Sequence, residues 1–198
     1  MDRRELSRCG TEENGGEALM PHRYPQEAVL RDGTRVLIRP FAANDVDALY
    51  DFFHRLPNDY KRFAWDLVDN RALIESWGRN IDYGKVFPLL ALIGHDIIAD
   101  ATLHRLGGPL RLVGRIKWML NPQYRGRGLG TTLVNLLIDV ARERGLRHVN
   151  CMLISDLEAD AVKTLENLGF KSFVQPGYGT DPDGNQHDMT KLILKLGS

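Results

Sequence analysis

Ahead of residue 126 an apolar run gives way to three alternate glycines, Gly126, Gly128 and Gly130. These open a stretch with helical apolar spacing at Leu129, Leu133, Leu136, Leu137 and Val140. A strand that turns through glycines directly into a helix constrains this chain more than any other feature. The first turn of a helix leaves about four N–H groups without carbonyl partners and carries roughly half a positive elementary charge. Glycines at that point let the backbone turn and let a ligand approach it closely. The combination is an anion site suited to a pyrophosphate, with Arg125 and Arg127 as cationic donors at its edge. Two common pyrophosphate loops do not fit. A Walker A loop needs Gly-Lys followed by Ser or Thr, which is missing here. The dinucleotide fingerprint needs Gly-x-Gly-x-x-Gly and an acid about 20 residues on, whereas these glycines run Gly-x-Gly-x-Gly and the next strand ends Met152-Leu153-Ile154.

Around this turn the other elements can be read from periodicity and punctuation. Val36-Leu37-Ile38 predicts a strand after the Asp32-Gly33 turn. Asn44 or Asp45 can cap a helix through Arg55, which Pro57 stops. A second helix is expected over residues 71–79, and strands over 86–93, 97–103 and 115–120. After the helix at 128–144 come a strand at 149–154 and a helix opened by the capping-box pattern Ser155-Asp156-Leu157-Glu158. Two last strands, 170–174 and 189–196, are expected on either side of a long loop that contains Asp181-Pro182-Asp183-Gly184. Strand, two helices, three strands, helix, strand, helix and two strands make one α/β domain over residues 28–198. A flexible polar leader is expected over residues 1–27.

Composition narrows the partners. Lys plus Arg and Asp plus Glu both number 26 in 198 residues, so the chain carries no basic footprint for nucleic acid. No apolar run reaches the ~18 residues of a membrane span, and the N-terminus lacks the apolar core of a signal peptide. Cys9 and Cys151 match no metal spacing and no disulfide framework. A cytoplasmic protein with no metal, no membrane partner and no Cys9–Cys151 bond is the expectation.

Arg125-Gly126-Arg127-Gly128-Leu129-Gly130 resembles the coenzyme A loop, Gln/Arg-x-x-Gly-x-Gly/Ala, of the GNAT superfamily of N-acetyltransferases. The flanks Asn121-Pro122, Ala161 and Leu168-Gly169-Phe170 are similar too. The opening Asp32-Gly33-Thr34 … Ile38-Arg39-Pro40 and the later Phe52-Phe53-His54-Arg55-Leu56 look like the GNAT domain of bacterial protein-lysine acetyltransferases. The resemblance implies a mixed, mostly antiparallel sheet flanked by helices and splayed beside the loop. It implies acetyl-CoA as cosubstrate and direct attack by an amine, either a protein lysine or a small molecule. Coenzyme contacts would come from Trp118, Met119, Leu120, Arg125, Gly126, Arg127, Gly128, Leu129, Gly130 and Thr131, with the Leu120 N–H polarising the thioester carbonyl.

The catalytic groups do not carry over. The glutamate base expected in the protein-lysine subgroup falls on Arg115, which cannot deprotonate an amine. The tyrosine acid falls on Leu165, and a frequent asparagine on Glu158. An acyl-CoA sensor without a base is therefore the alternative to an enzyme. Asp100 and His104 share a strand face and are the substitute bases. His104 is the better chemical match because an imidazole titrates near neutrality. If Arg115 and Lys117 face the same cleft, two cations there favour an acceptor with a carboxylate or phosphate. Tyr60, Phe63 and Trp65 either line that cleft or pack the second helix. His187 is expected on a solvated loop.

Overall fold

The computed structural model describes residues 23–197. Eight strands form one sheet in the order β1-β2-β3-β4-β5-β6-β8-β7. They are β1 Gln26–Val29, β2 Arg35–Pro40, β3 Val86–Ile93, β4 Asp96–Arg105, β5 Val113–Leu120, β6 His148–Ile154, β7 Lys171–Thr180 and β8 Gln186–Lys195. Among the described residues the β5–β6 pair alone is parallel, because a helix returns the chain between these two strands. That helix, α4 Leu129–Glu143, buries Leu129, Leu133, Leu137 and Val140. With α5 Ala159–Asn167 it covers one face of the sheet, over a core that includes Phe87, Ala101, Ile116 and Val149. The other face meets α1 Val46–Arg55, the short α2 Asn58–Lys61 and α3 Arg71–Arg79. A second cluster there joins Leu49, Phe53 and Ile74 to Leu90 and Ile97. β3 reads as an unbroken apolar run because it is covered on both faces.

Four details differ from the sequence-based expectation. β1 begins at Gln26 and pairs Gln26 with Ile38 and Glu27 with Leu37, so residues 26 and 27 belong to the sheet and not to the leader. A four-residue strand gives too short a pattern to be recognised. Arg23 and Tyr24 belong to the domain as well, ion-paired to Glu143 at 3.1 Å and packed on Phe87; residues 1–22, with Cys9, lie outside the described residues. The Ser155–Glu158 pattern is not a capping box: Glu158 accepts the N–H of Ile154 at 2.8 Å, and Ser155 turns to the Thr190 hydroxyl. β7 and β8 extend into one long hairpin instead of flanking a long loop. Its turn is held by the Asp181 carboxylate, which accepts from the N–H of Asp183 and Asn185 at 2.9 and 2.8 Å. His187 consequently stands on β8, half-buried.

Gly114 lets β5 close onto β4 and β6. A β-carbon there would stand 2.6 Å from Leu103 Cδ1 and 3.0 Å from Leu146 Cδ1. Gly114→Ala is therefore expected to destabilise the fold by about 1–3 kcal/mol, measured by urea unfolding. An unchanged midpoint would mean that these two leucines repack freely.

Candidate active site

β5 pairs with β6 only over Val113–Arg115. From Ile116 onward the two strands separate, while β5 stays paired to β4 as far as Leu120 opposite Ala99. Alternate N–H groups of a strand point to opposite neighbours, so the Leu120 N–H looks into the split and has no sheet carbonyl to meet. It donates instead to the Tyr60 hydroxyl at 3.2 Å. The split opens on a cavity of about 820 Å³. Trp118, Met119, Lys117 and Arg125 line it together with Asp100, Thr102 and His104 of β4. Residues 57–68 roof it. Tyr60, Phe63 and Trp65 all line the cavity, which decides the alternative the sequence left open.

At the end of β5 the chain turns through Gly126 at φ +71° and Gly128 at φ +92° into α4. Only glycine adopts these values without strain. The first intrahelical acceptor is the Gly128 carbonyl, taken by the Thr132 N–H at 3.0 Å; the N–H groups of Leu129, Gly130 and Thr131 come before it and have no helical partner. A β-carbon on Gly126 or Gly130 would meet nothing within 4 Å, so the cradle is open to a ligand. A pyrophosphate fits it. Arg125 stacks its guanidinium 4.5 Å from the Tyr60 ring centre. Arg127 is held by Asp32 at 2.5 Å, which leaves it a braced cation at the loop edge. Arg31 is a further cation beside the loop, its Nε 3.7 Å from where a Gly128 β-carbon would sit. Nothing in the sequence near the glycines points to Arg31, about a hundred residues earlier.

The two substitute bases share the cavity but differ in position and charge. Asp100 stands opposite Met119, the neighbour of Leu120. His104 stands opposite Arg115, four residues and about 13 Å farther along the strand. Asp100 makes no hydrogen bond to any described residue. Burial, helped by the negative Asp66 and opposed by Lys117, pushes its carboxyl up to about 7. Burial, with Lys117 and Arg115 against the opposing Asp66, holds His104 down at about 4, and its Nε2 shares a 2.9 Å hydrogen bond with the Thr102 hydroxyl. His104 thus lies farther than Asp100 from the strand end at Leu120, and burial with the neighbouring cations holds its basicity down. Glu158 is a second half-buried acid on the cavity wall. Burial raises it, against the Ile154 N–H and Arg125.

The expected pair of cleft cations is not available. Lys117 is tied to Asp66 at 3.0 Å, and Arg115 does not line the cavity. Leu165, where a tyrosine acid would stand, is 2% exposed and packed in the core. His187 also reaches the cavity, edge-on to Phe63 and 3.4 Å from Asp181. Cys151 is an unbonded, buried thiol on β6, and burial pushes its pKa up. Among the described residues no group of three or more His, Cys, Asp or Glu could hold a metal ion, and no helix is long and apolar enough to cross a membrane.

This geometry agrees with what the chain is similar to. An acetyltransferase of Pseudomonas aeruginosa is 28% identical over 135 residues, covering 61% of this chain and 67% of that protein. The GNAT domain of S. lividans PAT superposes with a TM-score of 0.73 at 22% identity, over 89% of this chain and 99% of that domain. The Salmonella typhimurium protein yncA, solved with its cofactor acetyl-CoA, gives 0.69 at 20% identity, over 82% and 95% of the two chains. At these identities the two structures speak for the fold. The family model described as acetyltransferase (GNAT) family matches residues 50–170, more than half of the sequence, and the chain belongs to that family.

Proposed function

We propose that the chain is an acetyl-CoA-dependent N-acetyltransferase that uses Asp100 as its base. The observation that carries this is the Asp100 carboxylate on the cavity wall, which makes no hydrogen bond to a described residue, one strand away from the Leu120 N–H that the split sheet leaves free of β6. Acetyl-CoA supplies an activated acetyl group when bound. The residues that would hold it are the N–H groups of residues 126–131, Arg125 and Arg127 at the phosphates, and the backbone of Trp118, Met119 and Leu120 along the split.

A primary amine reaches the site as an ammonium, since its ordinary pKa is near 10.4. The Asp100 carboxylate accepts one proton from it and becomes neutral. The Leu120 N–H, freed from Tyr60, donates to the oxygen on which negative charge develops. The amine nitrogen bonds the acetyl carbon as the carbon–sulfur bond breaks, and its remaining extra proton goes to the thiolate. Balanced charge and the unbonded Cys151 thiol fit a reducing, cytoplasmic setting.

Following free thiol while the chain is given acetyl-CoA and an amine tests this. Amine-dependent thiol release, with the acetylated amine detected by mass spectrometry, is the expected result. Release no faster than in buffer refutes a transferase. In the same assay His104→Gln should keep kcat within about tenfold of wild type, because a positioned base contributes about 10²–10⁴-fold and His104 is not placed to be one. A loss as large as that range would return the role to His104.

A further inference from the structure

We infer that the acceptor is a small primary amine with an apolar body, arylalkyl in shape, and with no acidic group of its own. This deepens the transferase reading above and rests on it. The cavity extends from the strand split toward α1 and α3 and is backed there by the closely packed core side chains Phe41, Leu49 and Phe53. Trp77 and Ile81 complete an apolar wall. A wall of this kind takes a ring or an alkyl body and fixes its orientation with few polar groups.

Charge accounting sets the polar end. Lys117 is paired with Asp66 at 3.0 Å and Lys85 with Asp82 at 2.9 Å. Arg62 is held by Asp183 and, at 3.6 Å, by Asp181. Arg125 belongs to the coenzyme loop. The one lining charge in the interior that no described residue compensates by a hydrogen bond is the Asp100 carboxylate, which calls for an ammonium. A carboxylate or phosphate on the acceptor would find no free cation there and would face Asp100, and an unpaired charge taken out of water costs several kcal/mol.

The roof narrows the approach of a bulky acceptor on the side of the β7–β8 hairpin. Residues 57–68 lie over the cavity, clasped to the β7–β8 hairpin by Arg62 on Asp181 and Asp183 and by Phe63 against His187. A lysine on a folded protein arrives with its backbone and neighbouring side chains and needs an open groove. A free amine needs only a way in.

The test separates binding from turnover. Calorimetry without acetyl-CoA, at about pH 8 where Asp100, titrating at about 7, is ionised, would compare 2-phenylethylamine, phenylalanine and a lysine peptide with a blocked N-terminus. 2-Phenylethylamine should bind, and the other two should bind about 100-fold more weakly or not at all. Asp100→Asn should weaken 2-phenylethylamine at least tenfold. Ile81→Trp, which fills the apolar end at a half-buried position, should weaken it as much while sparing acetyl-CoA affinity. Phenylalanine or the peptide binding and reacting as well as 2-phenylethylamine would overturn this acceptor class and leave the transferase standing. Binding of 2-phenylethylamine with no turnover of any amine would instead sink the transferase. Unimpaired binding to Ile81→Trp would refute the placement under α1 and α3.

Discussion

Replacing Asp100 by Asn is expected to slow acetyl transfer by about 10²–10⁴-fold with acetyl-CoA affinity nearly unchanged. The amide keeps the shape of the side chain but accepts no proton. In the wild type the rate should rise with pH through about 7, where Asp100 ionises. In the variant that inflection should vanish, leaving only the acceptor's own titration. Stability should move the opposite way to activity. The folded pKa, about 7, lies above the ordinary 3.8, so folding takes up a proton between these values. Stability is full at acid pH and is lost as pH rises through the folded pKa. Asp100→Asn removes this loss, so its melting temperature should exceed that of the wild type at about pH 8 and converge with it at about pH 4. Rate profiles and thermal melts of both proteins check the two halves separately. A variant with wild-type kcat and the same inflection would exclude Asp100 as the base.

Gly128→Glu is expected to weaken acetyl-CoA binding by more than about 100-fold. Gly128 sits at φ +92° just before α4, where a residue with a β-carbon is strained by about 1–3 kcal/mol. Crowding is not the problem, since only the Arg31 side chain would lie within 4 Å of an added β-carbon. The larger effect is electrostatic. A carboxylate at the helix N-terminus would occupy the field that favours an anionic ligand and repel the phosphates. Gly128→Gln separates the two causes, because glutamine carries the same backbone strain and bulk as glutamate and brings no charge. Its affinity should fall between wild type and the glutamate variant. Calorimetry on variants shown by circular dichroism to be folded is the measurement. Wild-type affinity in Gly128→Glu would remove the coenzyme from this loop.

The parts of the fold that could be read in advance are those whose signal is local. The apolar stripe of α4, the uninterrupted β3 and the three alternate glycines each declare themselves within about fifteen residues. The misreadings arise where distant residues decide. β1 exists because β2 pairs with it, and its burial pattern is too weak to stand alone. Ser155 and Glu158 have the spacing of a capping box, yet Thr190 and the Ile154 N–H, neither part of that pattern, compete for them. The candidate site divides the same way. Asp100 and His104 could be placed on one face by parity, but their ranking needed the cross-strand register and the neighbouring charges. Asp66, which neutralises Lys117, is 51 residues away from it and carries no motif. Tyr60 comes into contact with Leu120 only through the folding of α2 over the split.

That last contact bears on how much the coenzyme can gain from the strand end. The Leu120 N–H is already satisfied by Tyr60 at 3.2 Å, so a ligand carbonyl that takes it exchanges one partner for another and adds no new bond to the count. The net worth of such an exchange is small beside the ~1 kcal/mol of an ordinary protein hydrogen bond. Ground-state affinity at this point is thereby kept low. A carbonyl oxygen that turns anionic competes for the same N–H far better than a neutral phenol does. On the reading proposed above, a developing oxyanion would displace the incumbent hydroxyl more readily than the resting thioester carbonyl does, so the N–H would favour the charged species over the neutral one.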